Sequence, residues 1–176
     1  MMVFEDCADA GDGWNYRKPL KDSRFLSIDG KFDFSVEYDG PLGVQWKITH
    51  YMNLPEKMSK NGIERVENVK EFKITTLIDM KKGSPRLEFK TFINNNVGEH
   101  RVRVRFPSFI PADTFFTSVP FYLQERNIRK PDLSRHAEVE TGVYPNQGVI
   151  MIKDENNCLA LFNKGLYEVV TIGVEF

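Results

Sequence analysis

Much of this chain alternates apolar and polar residues one by one, and a period of two is the period of a half-buried β-strand. Phe32, Phe34 and Val36 are interleaved with Asp33, Ser35 and Glu37, and Val44, Trp46 and Ile48 with Gln45, Lys47 and Thr49. Phe72, Ile74, Thr76 and Ile78 continue the pattern, then Leu87, Phe89, Thr91 and Ile93, then Val102, Val104 and Phe106 between Arg101, Arg103 and Arg105. Turn chemistry falls between the runs: Asp29-Gly30, Asp39-Gly40-Pro41, Lys60-Asn61-Gly62, Lys82-Gly83-Ser84-Pro85 and Asn94-Asn95-Asn96. No segment sustains a 3.6-residue period with a cap at each end, so little helix is expected. The expectation is an all-β, antiparallel β-sandwich, with residues 1–176 forming a single domain.

Local pairing follows from the same pattern. Residues 24–28 and 32–36 around Asp29-Gly30 read as a β-hairpin, and the runs at 72–80, 87–93 and 101–106 as a meander. Residues 107–121 show no clear period, 122–128 read as a strand, and 129–142 as a charged loop. Residues 149–152 and 158–162 form a hairpin of mostly buried strands, and a β-rich run starts at Tyr167 and continues to Phe176 without a terminating turn.

Composition removes several functional classes. A net charge of −1 and a pI near 6.3 leave no electrostatic footprint for nucleic acid. No apolar run approaches the ~20 residues that cross a bilayer, and the first twenty residues show no basic start followed by an apolar segment. Cys7 and Cys158 belong to no CxxC pair, and no Asn-x-Ser/Thr sequon occurs, so a cytoplasmic protein is expected, with no membrane and no nucleic-acid partner.

Chemistry concentrates at 4–16, Phe-Glu-Asp-Cys-Ala-Asp-Ala-Gly-Asp-Gly-Trp-Asn-Tyr. Gly11 and Gly13 permit positive φ and close backbone approach, and aspartates suit such turns because they accept from nearby backbone N–H groups. Aromatic rings beside carboxylates and an amide fit a loop that touches sugar. The alternative is an ordered surface loop whose Trp14 and Tyr16 plug into the core. Asp6, Asp9 and Asp12 recur every three residues, which is not the ligand spacing of an EF-hand. His50, His100 and His136 share no metal-ligand spacing and read as structural or exposed. Arg101, Arg103 and Arg105 line one strand face, solvated or ion-paired in preference to holding an anion. No nucleophile elbow, phosphate loop or dinucleotide fingerprint is present, so the residues alone supply no catalytic constellation.

Three segments in order carry a resemblance to one family. Residues 4–16 resemble the Asp-Ala-Gly-Asp-x-Tyr-Asn-Tyr segment of α-mannosidases of glycoside hydrolase family 38. Asn94-Asn95 through His100-Arg101-Val102-Arg103-Val104-Arg105-Phe106-Pro107 resembles the family's Asn-Asn…His-Arg-Leu-Arg-Val-x-Phe-Pro, and Leu159-Ala160-Leu161-Phe162-Asn163-Lys164-Gly165-Leu166-Tyr167-Glu168 its Leu-Ala-Leu-x-x-Lys-Gly-Leu-x-Glu. The resemblance implies the β-rich C-terminal region of such an enzyme, of galactose-mutarotase-like supersandwich type and truncated, without the α/β barrel and helical domain that precede it. The nucleophile, the acid/base carboxylate and the zinc ion would lie in that absent barrel, so no catalytic residue, no metal ligand and no cofactor is assigned to this chain. The isolated chain is expected to be inactive. Its partners would be the barrel, the helical domain and a mannose-containing carbohydrate. Asp12, Trp14, Asn15, Tyr16 and Arg126 would contact substrate, with Trp14 standing where the family has a Tyr, keeping a ring and losing a hydroxyl. A stand-alone carbohydrate-binding or structural sandwich is the alternative.

Overall fold

A computed structural model describes residues 2–12, 15–129 and 142–171. Those residues contain antiparallel strands, one short 3₁₀ turn and no α-helix, as the two-residue period requires. They group into two compact units, Met1–Pro107 and Ser108–Phe176.

The first unit is a two-layer β-sandwich. One layer is a three-stranded sheet in which β1 (Val3–Ala8) is central, between β2 (Arg24–Leu26) and β7 (His100–Arg105). The other is a four-stranded meander of β3 (Lys31–Gly40), β4 (Gly43–Pro55), β5 (Val69–Lys81) and β6 (Leu87–Ile93). In register, Phe32 faces His50, which faces Ile74, which faces Ile93, so the alternating apolar residues of four strands fall on one face. Phe4 from the short sheet packs against Met52, Leu54, Phe72 and Ile74 from the long one, with Val97 closing the cluster and Phe25, Val102 and Val104 at its margin.

Two local pairings differ from the sequence expectation, for one reason. Residues 24–28 and 32–36 are not a hairpin: β2 pairs with β1 and β3 with β4. A 3₁₀ turn at Ser27–Asp29 carries the chain from one layer to the other, and buried Ser27 fixes it by accepting the Phe4 N–H through Oγ (3.1 Å). The meander likewise ends at β6, and β7 crosses to pair with β1. The crossing at 94–99 is pinned by the buried Val97, by Asn96 Nδ2 donating to the Glu71 carbonyl (3.1 Å), and by Glu99 at φ 51°. A short alternating run specifies a strand but not which layer receives it; buried contacts between layers decide that.

In the second unit, β8 (Thr114–Val119), β9 (Tyr122–Asn127), β11 (Val149–Lys153) and β12 (Cys158–Phe162) form a sheet of order β12-β11-β8-β9, and β10 (Val143–Pro145) pairs with β13 (Glu168–Val170). Strand β8 lay in the stretch without a readable period, because its buried positions are Phe115 and the fully buried Thr117. Its turn to β9 was equally silent, since Phe121 takes the φ 76° position where glycine is usual. The β11–β12 hairpin forms as expected but is half-buried to exposed instead of mostly buried. The charged 129–142 loop falls almost wholly outside the described residues.

Two expectations follow. Phe72→Ala opens a cavity at a fully buried site and should lower unfolding free energy by about 3–5 kcal/mol, read by urea denaturation. Burial holds the His50 imidazole below its ordinary 6.5, against a hydrogen bond to the Ser27 backbone, and its Nδ1 has no partner. The unfolded chain therefore takes up the proton first, and stability should fall as pH drops below about 6.5. Comparing urea midpoints at high and low pH for wild type and His50→Gln should show that part of the fall disappear in the variant.

Candidate functional site

The acidic loop leaves the end of β1 and is tied into a rigid shape by its own aspartates. Asp9 Oδ1 accepts the N–H groups of Gly11 (2.8 Å) and Arg17 (3.1 Å), and Asp12 Oδ1 accepts that of Asn15 (2.8 Å). The two ends are clipped together by Ala10 N–H to the Arg17 carbonyl (2.8 Å) and by Arg17 Nε to the Ala10 carbonyl (3.1 Å). Gly11 serves close approach and has no positive φ: a Cβ there would sit 1.7 Å from the Asn15 carbonyl oxygen. Gly13 and Trp14 lie outside the described residues.

Asp12, Asn15 and Tyr16 are thus brought together on one exposed loop. Tyr16 is 42% exposed, so it does not plug into the core, and the Arg101 guanidinium lies over its ring at 4.9 Å. Partial burial raises the phenol above its ordinary range, with the nearby Cys7 and Asp22 adding to the rise, so the hydroxyl stays protonated and can donate. Beside the loop lies an open hollow of about 340 Å³, lined by Ala10, Gly11, Lys57, Ser59, Lys60 and Glu99.

Beneath the loop, β1 carries two carboxylates that the sequence left without a role. Asp6 points inward, where it pairs with Arg65 and His100, all three side chains almost wholly buried. Arg65 also donates to the Pro55 carbonyl at the end of β4 (3.0 Å), and His100 bridges from Asp6 to Asn95 Oδ1 (3.0 Å). Glu5 points to the other face and is surrounded by Arg103, Arg105 (3.2 Å) and Arg24 (3.8 Å). The arginine stripe is therefore ion-paired across the strands at positions 103 and 105, and position 101 covers Tyr16. His50 and His100 are both buried structural residues; His136 lies outside the described residues. Arg65 lies in the irregular segment between β4 and β5, in an isolated bridge with Met58, and leaves no periodic signal; only its partner's burial identifies it.

Arg126 belongs to the second unit, on β9. Its Nε donates to Thr117 Oγ1 (2.9 Å) and its Nη2 to Gln124 Oε1 (2.9 Å), and its guanidinium stacks over Tyr144 at 4.7 Å. Three neighbours thus hold the guanidinium in place.

The loop's chemistry suits recognition of a hydroxyl-rich ligand. Asp9 and Asp12 spend carboxylate oxygens on backbone donors, and Asp6 and Glu5 are consumed by buried ion pairs. Among the described residues no group of three or more His, Cys, Asp or Glu is placed to hold a metal ion. Removing the partner of a buried charge is costly, so Arg65→Met should destabilise by about 3–5 kcal/mol, and in urea titrations the Asp6→Asn/Arg65→Met pair should lose less than the two single losses added together.

Comparison with known proteins agrees with this architecture. No curated protein matches the chain. Two solved structures from Enterococcus faecalis superpose on it: an α-mannosidase from strain V583, with a TM-score of 0.87, and a protein in glycosyl hydrolase family 38, with a TM-score of 0.83. Each is 24% identical over 95% of this chain, which spans 20% of their length, so they establish the fold and show that it is one part of a longer polypeptide in those proteins. Residues 1–174 match the family model described as the glycosyl hydrolases family 38 C-terminal domain, and the chain belongs to that family.

Proposed function

We propose that this chain is the non-catalytic C-terminal β domain of an α-mannosidase-type glycoside hydrolase, lending substrate contacts to a cleft whose bond-breaking carboxylates and zinc reside in a separate barrel. The observation that carries the proposal is the 9–17 loop: its acids are committed to holding backbone, while Asn15 and Tyr16 are presented outward. In this reading Asp12 shapes the loop, Trp14 and Tyr16 cover a pyranose face, and Asn15 and the Tyr16 hydroxyl bond to sugar oxygens. Arg126 is a further substrate contact in this reading. Zinc, held by the barrel, would supply Lewis-acid chemistry to the sugar; this chain's residues orient the ligand and exclude water. The β region would be of galactose-mutarotase-like type, would form a single domain and would pack against the barrel and the helical domain.

The test has two parts. The isolated chain should show no turnover of an aryl α-mannoside with or without added zinc, and zinc-dependent turnover would sink the assignment. In the assembled hydrolase, Tyr16→Ala should raise KM about tenfold, equivalent to ~1.4 kcal/mol of lost binding, with the thermal midpoint unchanged. A variant with wild-type KM would remove the loop from the cleft.

A further inference from the structure

Strand β7 carries three arginines on one face, and two of them do the same work. In register with β1, Arg103 faces Glu5, Arg105 faces Val3 and Arg101 faces Cys7. Side chains alternate along a strand, so Glu5 and Cys7 share the arginines' face. Arg103 and Arg105 both close on the buried Glu5 carboxylate, and Arg103 also donates to Cys7 Sγ (3.4 Å). Arg101 has a thiol across from it where Arg103 has a carboxylate, and its guanidinium lies over the acidic loop, 4.9 Å from the centre of the Tyr16 ring. The stripe therefore ends in a cation directed at the loop.

The loop needs such a support. Asp9 and Asp12 accept backbone N–H groups and the Ala10–Arg17 clip joins the loop's ends, so these bonds fix the backbone and leave the Tyr16 side-chain torsions undetermined. A ring 42% exposed turns between rotamers on its own, and ordering it on binding lowers affinity. Arg101 removes that freedom. It stands on a strand whose register with β1 runs over six residue pairs, and its planar guanidinium matches a flat ring better than an ammonium would. A guanidinium over one face also occupies that face, so a ligand stacks on the other.

We propose that Arg101 is the positioning residue of the acidic loop: its guanidinium holds the Tyr16 ring by one face, so that the opposite face is presented to the C–H patch of a pyranose. The inference rests on the proposed function and deepens it, by naming the ring face that meets the sugar and the strand residue that sets its plane. Arg101 acts through Tyr16 and makes no contact with substrate itself. Its neighbours on the stripe do not share the role, because Arg103 and Arg105 are committed to Glu5.

Kinetics and spectroscopy test this together. In the assembled hydrolase acting on an aryl α-mannoside, Arg101→Met should raise KM about fivefold with kcat within about twofold of wild type, and Arg101→Lys should raise KM about twofold. Combined with Tyr16→Ala, Arg101→Met should add nothing to the roughly tenfold rise of the single Tyr16 variant, whereas independent contributions would multiply to about fiftyfold. In this chain, NMR of tyrosine labelled at Cζ, with Tyr16→Phe assigning the resonance, follows ionisation of the phenol. Burial raises that phenol, Cys7 and Asp22 add to the rise, and Arg103 and Arg101 oppose it. Arg101→Met should therefore move the titration midpoint further up, and Arg101→Lys should leave it nearer wild type. An unchanged midpoint in Arg101→Met would overturn the inference, as would the multiplied KM in the double variant. A wild-type KM in Arg101→Met, with Tyr16→Ala still raised, would make Arg101 a support for β7 alone and overturn the inference while leaving the functional proposal intact. Wild-type KM in both single variants would overturn the two together. Arg101→Lys keeps the charge, so its KM decides the matter if Arg101→Met does not fold: a wild-type value overturns the inference.

Discussion

Asp6 is the point at which the first unit is tied together. Its carboxylate reaches Arg65, which is bound in turn to the end of β4, and His100, which is bound to Asn95 in the crossing that leads out of β6. One buried side chain on β1 therefore meets both layers of the sandwich and the connection between them. A carboxylate so far from water is tolerable only with both partners in place. Strand β1 ends two residues further on, at Ala8, and the acidic loop begins there. The acidic loop is exposed, but it leaves a strand held by charges that solvent does not reach.

The loop illustrates a division of labour among acidic residues in a short stretch. Glu5 and Asp6 are structural counter-ions on opposite faces of one strand. Asp9 and Asp12 act as local hydrogen-bond acceptors in place of the backbone carbonyls a regular strand would supply. An unaided view of four carboxylates within eight positions suggests metal binding or acid/base chemistry. Their partners show each one already occupied.

Alternation made the strands of the meander readable from sequence, because every second residue of β3 to β6 belongs to one apolar face. It could not assign strands to layers: β2 and β7 look like neighbours of β3 and β6 in sequence, yet both pair with β1 through contacts at Ser27, Val97 and Asn96. In the second unit, β8 was hidden by a buried Thr117 and its turn by Phe121 at positive φ, a conformation whose usual marker is glycine. At the site, the loop was visible as a composition, with Asp12, Asn15 and Tyr16 in it. Arg65 was not, since a buried cation in an irregular segment has no pattern of its own. The family resemblance, carried by 4–16, 94–107 and 159–168, takes in the acidic loop, where no period can be read, together with two runs that alternation or apolar content had already marked as strands.

The central place of β1 bears on how the chain comes to fold. Its two neighbours include β7, whose Arg105 meets Glu5 across 100 residues of sequence. A ribosome must release the whole meander before β1 can pair with β7, so β1 waits with one edge open while the residues between them are made. Pairings of such long range slow folding and lengthen exposure of unpaired edges. The strand that positions the acidic loop is thus made before the meander and secured after it, and a chain interrupted before β7 would hold the loop's residues without the sheet that orients them.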